Sequence, residues 1–370
     1  MKYYIIAGER SGDLHGGNLI KALKQEDDSA DIRCWGGEAM QAAGGDLVVH
    51  YKEMAFMGFW EVVTNLGTIR KKLKLCKQDI IDFQPDAIIL IDYAGFNMRI
   101  AKFAQQQGIK VHYYISPKVW AWNTKRALKI KKNVDHLYVI LPFEKDFFAS
   151  YNYATDYVGN PLLDAIRQFE PQANFKDQFP DKPIVAILPG SRVQEVKHML
   201  GTMIGLIDQF SNYHFVVAAV SNLEEDLYQE VKAHPNCSLV TDAAYDLLNV
   251  ATAAVVTSGT ATLETALFQV PEVVCYKTSN VSYWIGKKVI KVDYISLVNL
   301  IMEREVVREL IQKDFNSTTL QKELTAILPE GSKRAQVLAD YQELKVKMGD
   351  KDTSSETAKL IVERTTKDLR

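Results

Sequence analysis

Short apolar runs rich in Ile, Val and Tyr recur along the chain between stretches of helical period. They are Tyr3–Ala7, Ala87–Ile91, Val111–Ile115 and Leu137–Ile140, then Ile184–Leu188, Phe215–Val220, Ala253–Val256 and Val273–Tyr276. Continuous rather than alternating hydrophobicity over four to six residues predicts strands buried on both faces, as in parallel sheets. Between them Asn18–Lys24, Arg99–Gln107, Glu224–Lys232 and Ala261–Phe268 predict helices, and strand–helix alternation predicts an α/β doubly wound fold. The alternation occurs twice, on either side of Phe169–Pro183, where three prolines and mostly polar residues break every period. We therefore expect a Rossmann-like domain over 1–168, a second over 169–345 and a helical tail over 346–370, with the tail packing on the first domain.

Composition narrows the function classes. The 370 residues carry 44 Lys+Arg against 46 Asp+Glu and are 47% hydrophobic, which excludes disordered, collagenous and coiled-coil chains. A formal net charge of −2 argues against a protein built to clamp nucleic acid. Cys34, Cys76, Cys237 and Cys275 are scattered with no C-x-x-C pair, so neither a disulfide framework nor a zinc site is expected and a reducing cytoplasm fits. Tyr3–Ala7 is too short for a signal-peptide core, and no run approaches the ~18 apolar residues of a membrane span. The expectation is a protein neither exported nor transmembrane.

In doubly wound sheets ligands bind beyond the carboxyl ends of the strands, so the residues that follow each apolar run carry the information. The first such loop, Gly8-Glu9-Arg10-Ser11-Gly12-Asp13, enters a helix and lets a ligand approach the backbone. It lacks the G-x-G-x-x-G spacing, which disfavours a dinucleotide-dependent oxidoreductase. Asp92 follows the second run and precedes Asn97, and a carboxylate there can take a proton from a substrate hydroxyl, although helix capping would also explain it. The loop Ser116–Trp122 adds Lys118, Trp120 and Trp122. In the second half, Gly190-Ser191-Arg192 and then Ser258-Gly259-Thr260 sit at strand ends. An arginine fork, freed backbone N–H groups and a helix start suit a nucleotide diphosphate. Glu264, one turn into that helix, is placed to accept from ribose hydroxyls. The seven histidines form no H-x-x-x-H pair and no D-x-D follows a strand, so metal-independent chemistry with no cofactor is expected.

Met54–Val63 is apolar on every side and includes Phe56, Met57, Phe59 and Trp60. Arg70 to Lys77 then presents five basic residues and no acid, among them Arg70, Lys71, Lys72 and Lys74, beside an apolar stripe of Leu66, Ile69, Leu73 and Ile80. An apolar wedge next to a basic helix is how a protein docks on anionic lipid, while a core helix beside a solvated one is the plainer alternative.

Taken together, these residues resemble the lipid-A-disaccharide synthases, inverting glycosyltransferases of the two-Rossmann GT-B architecture. The resemblance spans nearly the whole chain and rests on A-G-E-x-S-G-D at Ala7–Asp13, M-G-x-x-E-V at Met57–Val62, I-D-x-x-x-F-N at Ile91–Asn97, Y-x-S-P-x-V-W-A-W at Tyr114–Trp122, L-P-G-S-R at Leu188–Arg192, S-G-T-A-x-L-E at Ser258–Glu264, and Asp293-Tyr294 with Ser296, Leu297 and Asn299. It implies two domains facing across a cleft. It further implies transfer of 2,3-diacylglucosamine from its UDP derivative to 2,3-diacylglucosamine 1-phosphate, giving a β-1,6 disaccharide 1-phosphate and UDP. By the same resemblance Asp92 and Arg192 are the essential pair, and Ser258, Gly259, Thr260, Glu264 and Asn299 hold UDP, which Gly190 and Ser191 are expected to join on the chemistry of their own loop. Glu9, Arg10, Ser11, Asp13, Asn97, Lys118, Trp120 and Arg126 lie on the acceptor side. The implied partners are the two acylated sugars and the anionic cytoplasmic face of the inner membrane, with a homo-oligomer compatible and nucleic acid excluded.

Three departures stand out: Ala94-Gly95 where the family has Pro-Asp, Leu297-Val298-Asn299 where it has Leu-Pro-Asn, and Arg308 where it has Pro. The first leaves Asp92 as the one acid of its loop. Two rival readings accompany this one: another two-Rossmann UDP-sugar enzyme, such as a lipid-linked aminosugar transferase or a 2-epimerase, and a non-catalytic nucleotide-sugar binding protein. Arg10, Lys118 and Arg126 are the candidate cations for an acceptor phosphate.

Overall fold

The computed structural model describes residues 1–54, 66–122, 124–289 and 292–369. Phe56, Met57, Phe59 and Trp60, the expected apolar wedge, lie outside the described residues. The chain divides into two compact units, Met1–Asp164 with Asp350–Arg370, and Ala165–Gly349.

The first unit holds a seven-stranded parallel sheet: β1 (Lys2–Ala7), β2 (Asp31–Gly36), β3 (Asp46–His50), β4 (Ala87–Ile91), β5 (Lys110–Tyr114), β6 (His136–Val139) and β7 (Asp156–Tyr157), in spatial order β3-β2-β1-β4-β5-β6-β7. β1 and β4 are apolar on both faces because both faces are covered. Tyr4 and Ile6 enter one core with Ile88 and Leu90, while Tyr3, Ile5 and Ala7 enter the other with Ile89 and Ile91. The terminal helix Thr353–Asp368 belongs to this unit, burying Ala358 and Ile361 in the second of those cores beside Leu19 and Leu23. Its start is tied down where the Thr353 amide donates to Asp164 at 2.9 Å, and its end where Arg364 pairs with Asp156 at 2.7 Å.

The second unit holds a six-stranded parallel sheet: β8 (Ile184–Leu188), β9 (His214–Ala219), β10 (Cys237–Thr241), β11 (Ala251–Thr257), β12 (Glu272–Tyr276) and β13 (Arg308–Ile311), in order β10-β9-β8-β11-β12-β13. Both units are therefore the α/β doubly wound type expected from the apolar runs. One helix differs from expectation: the span Glu224–Lys232 is a 3-10 turn, Glu225–Tyr228, followed by a short helix, Gln229–Ala233. Pro235 stops it, because His234 before the proline is held extended at φ −92° and ψ 120°.

The strand orders fix where ligands can sit. In the first sheet the connections run outward in opposite directions from β1 and β4, and in the second from β8 and β11. Such a switch point opens a crevice beyond the carboxyl ends. The registers Ala7↔Ile91 and Val256↔Leu188 bring the expected loops together in pairs.

Candidate active site

At the first switch point Gly8 follows β1, and the Tyr93 ring lies so close that a Cβ on Gly8 would stand 2.3 Å from it. Only glycine fits. Asp92 and Tyr93 both adopt left-handed backbone, at φ +42° and +48°, a conformation that costs a non-glycine residue about 1–2 kcal/mol. Three bonds hold Asp92 there. Its amide donates to the Tyr114 carbonyl at 3.2 Å, and its carbonyl accepts from Asn97 Nδ2 at 2.8 Å and from the Tyr113 hydroxyl. Asn97, fully buried, also donates to the Ile91 carbonyl at 3.1 Å, so it positions the strand end rather than facing the crevice.

The Asp92 carboxylate meets a cavity of about 240 Å³ lined also by Ala94, Ser116, Lys118, Arg126 and Glu144. Solvent reaches Asp92, yet protein crowds it. That desolvation, with the negative charge of Glu9, holds its carboxyl above the usual aspartate range, while Lys118 pulls in the opposite direction. Lys118 and Arg126 thus share the cavity with Asp92, whereas Arg10, exposed at the start of the helix Arg10–Glu26, does not line it. Glu9 and Ser11 are exposed beside Arg10. Trp120 is buried, its indole N–H donating to Glu144 at 3.2 Å and its ring meeting Phe143 edge-on at 4.9 Å.

Asp13 is used within the fold. It is 4% exposed and accepts from the backbone amides of Gly37, Ala39 and Met40 at 2.7, 3.0 and 3.1 Å. It thereby satisfies the free donors at the start of the helix Glu38–Ala42 from a neighbouring element.

At the second switch point Gly190 takes φ +108°, and a Cβ there would strike the Glu195 carboxylate at 2.5 Å. That carboxylate accepts from the Ser191 amide at 3.0 Å. Among the described residues Arg192 makes only a loose 3.6 Å contact, with Glu195, and its side chain is 76% exposed. Across the register, Gly259 and Thr260 are exposed at the start of the helix Thr260–Leu267, while the Ser258 hydroxyl donates to the Ile295 carbonyl at 2.9 Å. Glu264 accepts from the Tyr245 hydroxyl at 2.9 Å. Burial keeps its carboxyl above the usual range against that bond. Asn299 is fully buried, with its amide donating to Val307 and Glu309 and accepting from the Val306 and Val307 amides. No polar atom of its side chain is left over for a ligand.

Two residues of these sites escaped the sequence reading. Glu144 lies in the first turn of the helix Pro142–Ala149 that follows β6, where the strand-end criterion would have found it. Tyr245 offered no sequence signal, because its contact with Glu264 is made only in three dimensions. Among the described residues no group of three or more His, Cys, Asp or Glu side chains is placed to hold a metal. Nor is any described helix long and apolar enough to cross a membrane.

On the helix Leu66–Phe83, Arg70, Lys74 and Lys77 line a groove with Leu73, Gln78 and Ile81, and Lys71 is exposed. Lys72 instead pairs with Glu53 at 2.6 Å. Ile80 and Cys76 face the core.

Residues 3–364 match the model of the lipid-A-disaccharide synthetase family. A lipid-A-disaccharide synthase of Syntrophus aciditrophicus is 38% identical over 93% of both chains. That of Geobacter metallireducens is 35% identical over 97% of this chain and 96% of its own length. Among solved structures, the UDP-GlcNAc 2-epimerase of Neisseria meningitidis bound to UDP-GlcNAc superposes with a TM-score of 0.68 at 13% identity, covering 99% of this chain and 100% of that one. CalG4, the calicheamicin glycosyltransferase, gives a TM-score of 0.62 at 13% identity over 100% and 98%. At such identities the likeness is one of fold, which is that of the two-Rossmann GT-B proteins.

Proposed function

Because the chain belongs to the lipid-A-disaccharide synthase family and is therefore a glycosyltransferase, we propose the following division of labour between its two switch points. The second binds the UDP moiety of a UDP-2,3-diacylglucosamine donor through Arg192, the Gly190–Ser191 turn and the helix start at Gly259–Thr260, with Glu264 on the ribose. The first takes 2,3-diacylglucosamine 1-phosphate, with Lys118 and Arg126 as its phosphate cations. Asp92 is the general base: it accepts the proton of the acceptor 6-hydroxyl as that oxygen attacks the anomeric carbon, and UDP leaves from the opposite face with inversion. Arginine and backbone N–H groups offset the charge that develops on the diphosphate, so no metal is required.

The observation that carries this reading is the Asp92 carboxylate itself. It is held by its own strained backbone at a strand end, its basicity is raised by the protein crowded around it and by Glu9, and it shares a cavity with two cations. A reaction of purified protein with both acylated sugars in the presence of EDTA should yield a disaccharide monophosphate by mass spectrometry. UDP release without that product, or product only after Mg²⁺ is returned, would overturn the mechanism.

The acylated substrates partition into bilayers, and we place the docking surface at the exposed basic side of the helix Leu66–Phe83, on the cytoplasmic face of the inner membrane. Each basic residue near an anionic surface contributes about 1 kcal/mol. Neutralising Arg70, Lys71 and Lys74 together should release the protein from anionic vesicles at moderate salt. Neutralising Lys72 should do less, since Glu53 already pairs with it. Equal effects from the two changes would refute this placement.

A further inference from the structure

Glu144 is the buried carboxyl for which the mechanism above has no use. It is 2% exposed and accepts four hydrogen bonds in two pairs. Oε2 takes the amides of Ile140 and Leu141 at 3.2 and 3.0 Å. That pair is accounted for by helix capping, because Glu144 is the third residue of the helix Pro142–Ala149. Oε1 takes the Ser116 hydroxyl and the Trp120 indole N–H, the latter at 3.2 Å. Capping does not account for this second pair. Ser116 and Trp120 bracket Lys118 in sequence, and Ser116 and Lys118 line one cavity with Asp92 and Glu144.

We propose that Glu144 is a positioning residue for this reaction: it fastens both ends of the Ser116–Trp120 loop to the turn after β6 and so fixes Lys118 at the Asp92 cavity. The inference rests on the reading of Asp92 as the base. Glu9 raises the affinity of Asp92 for its proton and Lys118 lowers it. Arg126 and Glu144 itself complete the charged groups of the cavity, and the Tyr113 hydroxyl holds the Asp92 carbonyl. A loosened loop weakens only the Lys118 contribution. Desolvation raises the Glu144 carboxyl to about 7, so a neutral replacement is tolerable in charge, but an amide nitrogen would face at least one of the donors now satisfied.

The experiment is the pH profile of kcat/KM for the acceptor in Glu144→Gln, Ser116→Ala and Trp120→Phe, with melting temperatures measured alongside. Asp92 must be unprotonated to act, so each variant should move the acid limb upward by roughly 0.5–1 pH unit, a part of the ~1–3 that a neighbouring opposite charge commands. Lys118→Ala should move it at least as far, and adding Trp120→Phe to Lys118→Ala should move it no further. If Glu144→Gln does not fold, the Ser116 and Trp120 variants decide, because they leave the carboxyl in place. A lowered kcat with an unmoved limb in the folded variants, or a shift that persists on top of Lys118→Ala, overturns the inference. Full activity in Asp92→Asn would instead overturn the reading beneath it, and the two failures are told apart by that single variant.

Discussion

At the switch point of the first sheet, the Asp92 backbone is held in a left-handed conformation by Asn97, Tyr113 and Tyr114, and its carboxylate faces a walled cavity of about 240 Å³. At that of the second sheet, Arg192 stands 76% exposed with one loose ionic contact, and the Ser258 hydroxyl is turned back onto its own unit. The topology is the same at both, but the local investment is opposite. Under the proposed roles, the group that acts on a proton has its environment built around it beforehand, because crowding by protein raises its basicity. A group that meets a charged diphosphate gains from exposure, since an arginine buried in advance would need a partner of its own.

The hardest test of that contrast is Asp92→Asn. It should leave the fold intact and lower kcat by ~10²–10⁴-fold, the usual worth of a general base. Retention of more than about a third of wild-type kcat would reduce Asp92 to a helix cap. In the wild type, the acid limb of kcat/KM should lie above the ~3.9 of a free aspartate, because activity is lost as pH falls through the raised Asp92 value. Arg192→Ala comes next. With no structural partner beyond Glu195 among the described residues, it should melt like wild type yet bind UDP about 10–100-fold more weakly by calorimetry, the worth of one charged hydrogen bond.

Asp13→Asn sharpens the comparison from within the first unit, where two aspartates follow adjacent strands, Asp13 in the first turn of the helix Arg10–Glu26 and Asp92 in the loop after β4. The Asp13 carboxylate accepts three backbone amides. An asparagine would turn an N–H towards at least one of them, at a cost in unfolding free energy of about 1.5–3 kcal/mol. The remaining folded protein should turn over normally. Impaired turnover without loss of stability would assign Asp13 to the acceptor instead.

This pair of aspartates also shows how far the sequence could be read. Both stand in small-residue segments after a buried strand, and nothing in their neighbours distinguishes the one aimed at backbone amides from the one aimed at a cavity. The distinction needs the helix Glu38–Ala42, which only the fold brings to Asp13. The strands follow a similar logic. The central ones, β1, β4, β8 and β11, are buried on both faces and are legible as apolar runs. β3, β7, β10 and β13 gave no such run, and they are the four edges of the two sheets. An edge strand such as Arg308–Ile311 has only part of its surface in the core and keeps polar residues on the rest. The doubly wound class of both units was therefore accessible from the sheet centres, and the GT-B architecture from the family resemblance carried largely by the loops at their ends. The contacts among Glu144, Trp120 and Ser116 join residues 24 to 28 positions apart, across two strands, and had no local pattern to reveal them.

The smallest effect is expected where the second switch point most resembles the first, at Glu264. Like Asp92 it is a carboxyl raised by desolvation, and like Asp92 it has a tyrosine hydroxyl close by, although here Tyr245 bonds the carboxylate itself. If Glu264 serves as an acceptor for ribose hydroxyls rather than as a base, it loses acceptor capacity on protonation. UDP affinity should then fall as pH drops through the raised Glu264 value. The diphosphate titrates as well, so the useful quantity is the difference in affinity between UDP and 2′-deoxy-UDP, from which the phosphate contribution cancels. That difference should be several-fold at pH 8, corresponding to about 0.5–1.5 kcal/mol for one hydroxyl. It should shrink on acidification in the wild type and be small at every pH in Glu264→Gln. A pH-independent difference in the wild type, or one unchanged in the variant, would move ribose recognition away from Glu264. It would then leave this carboxyl as a packing partner of Tyr245, set between Phe169 and Phe268.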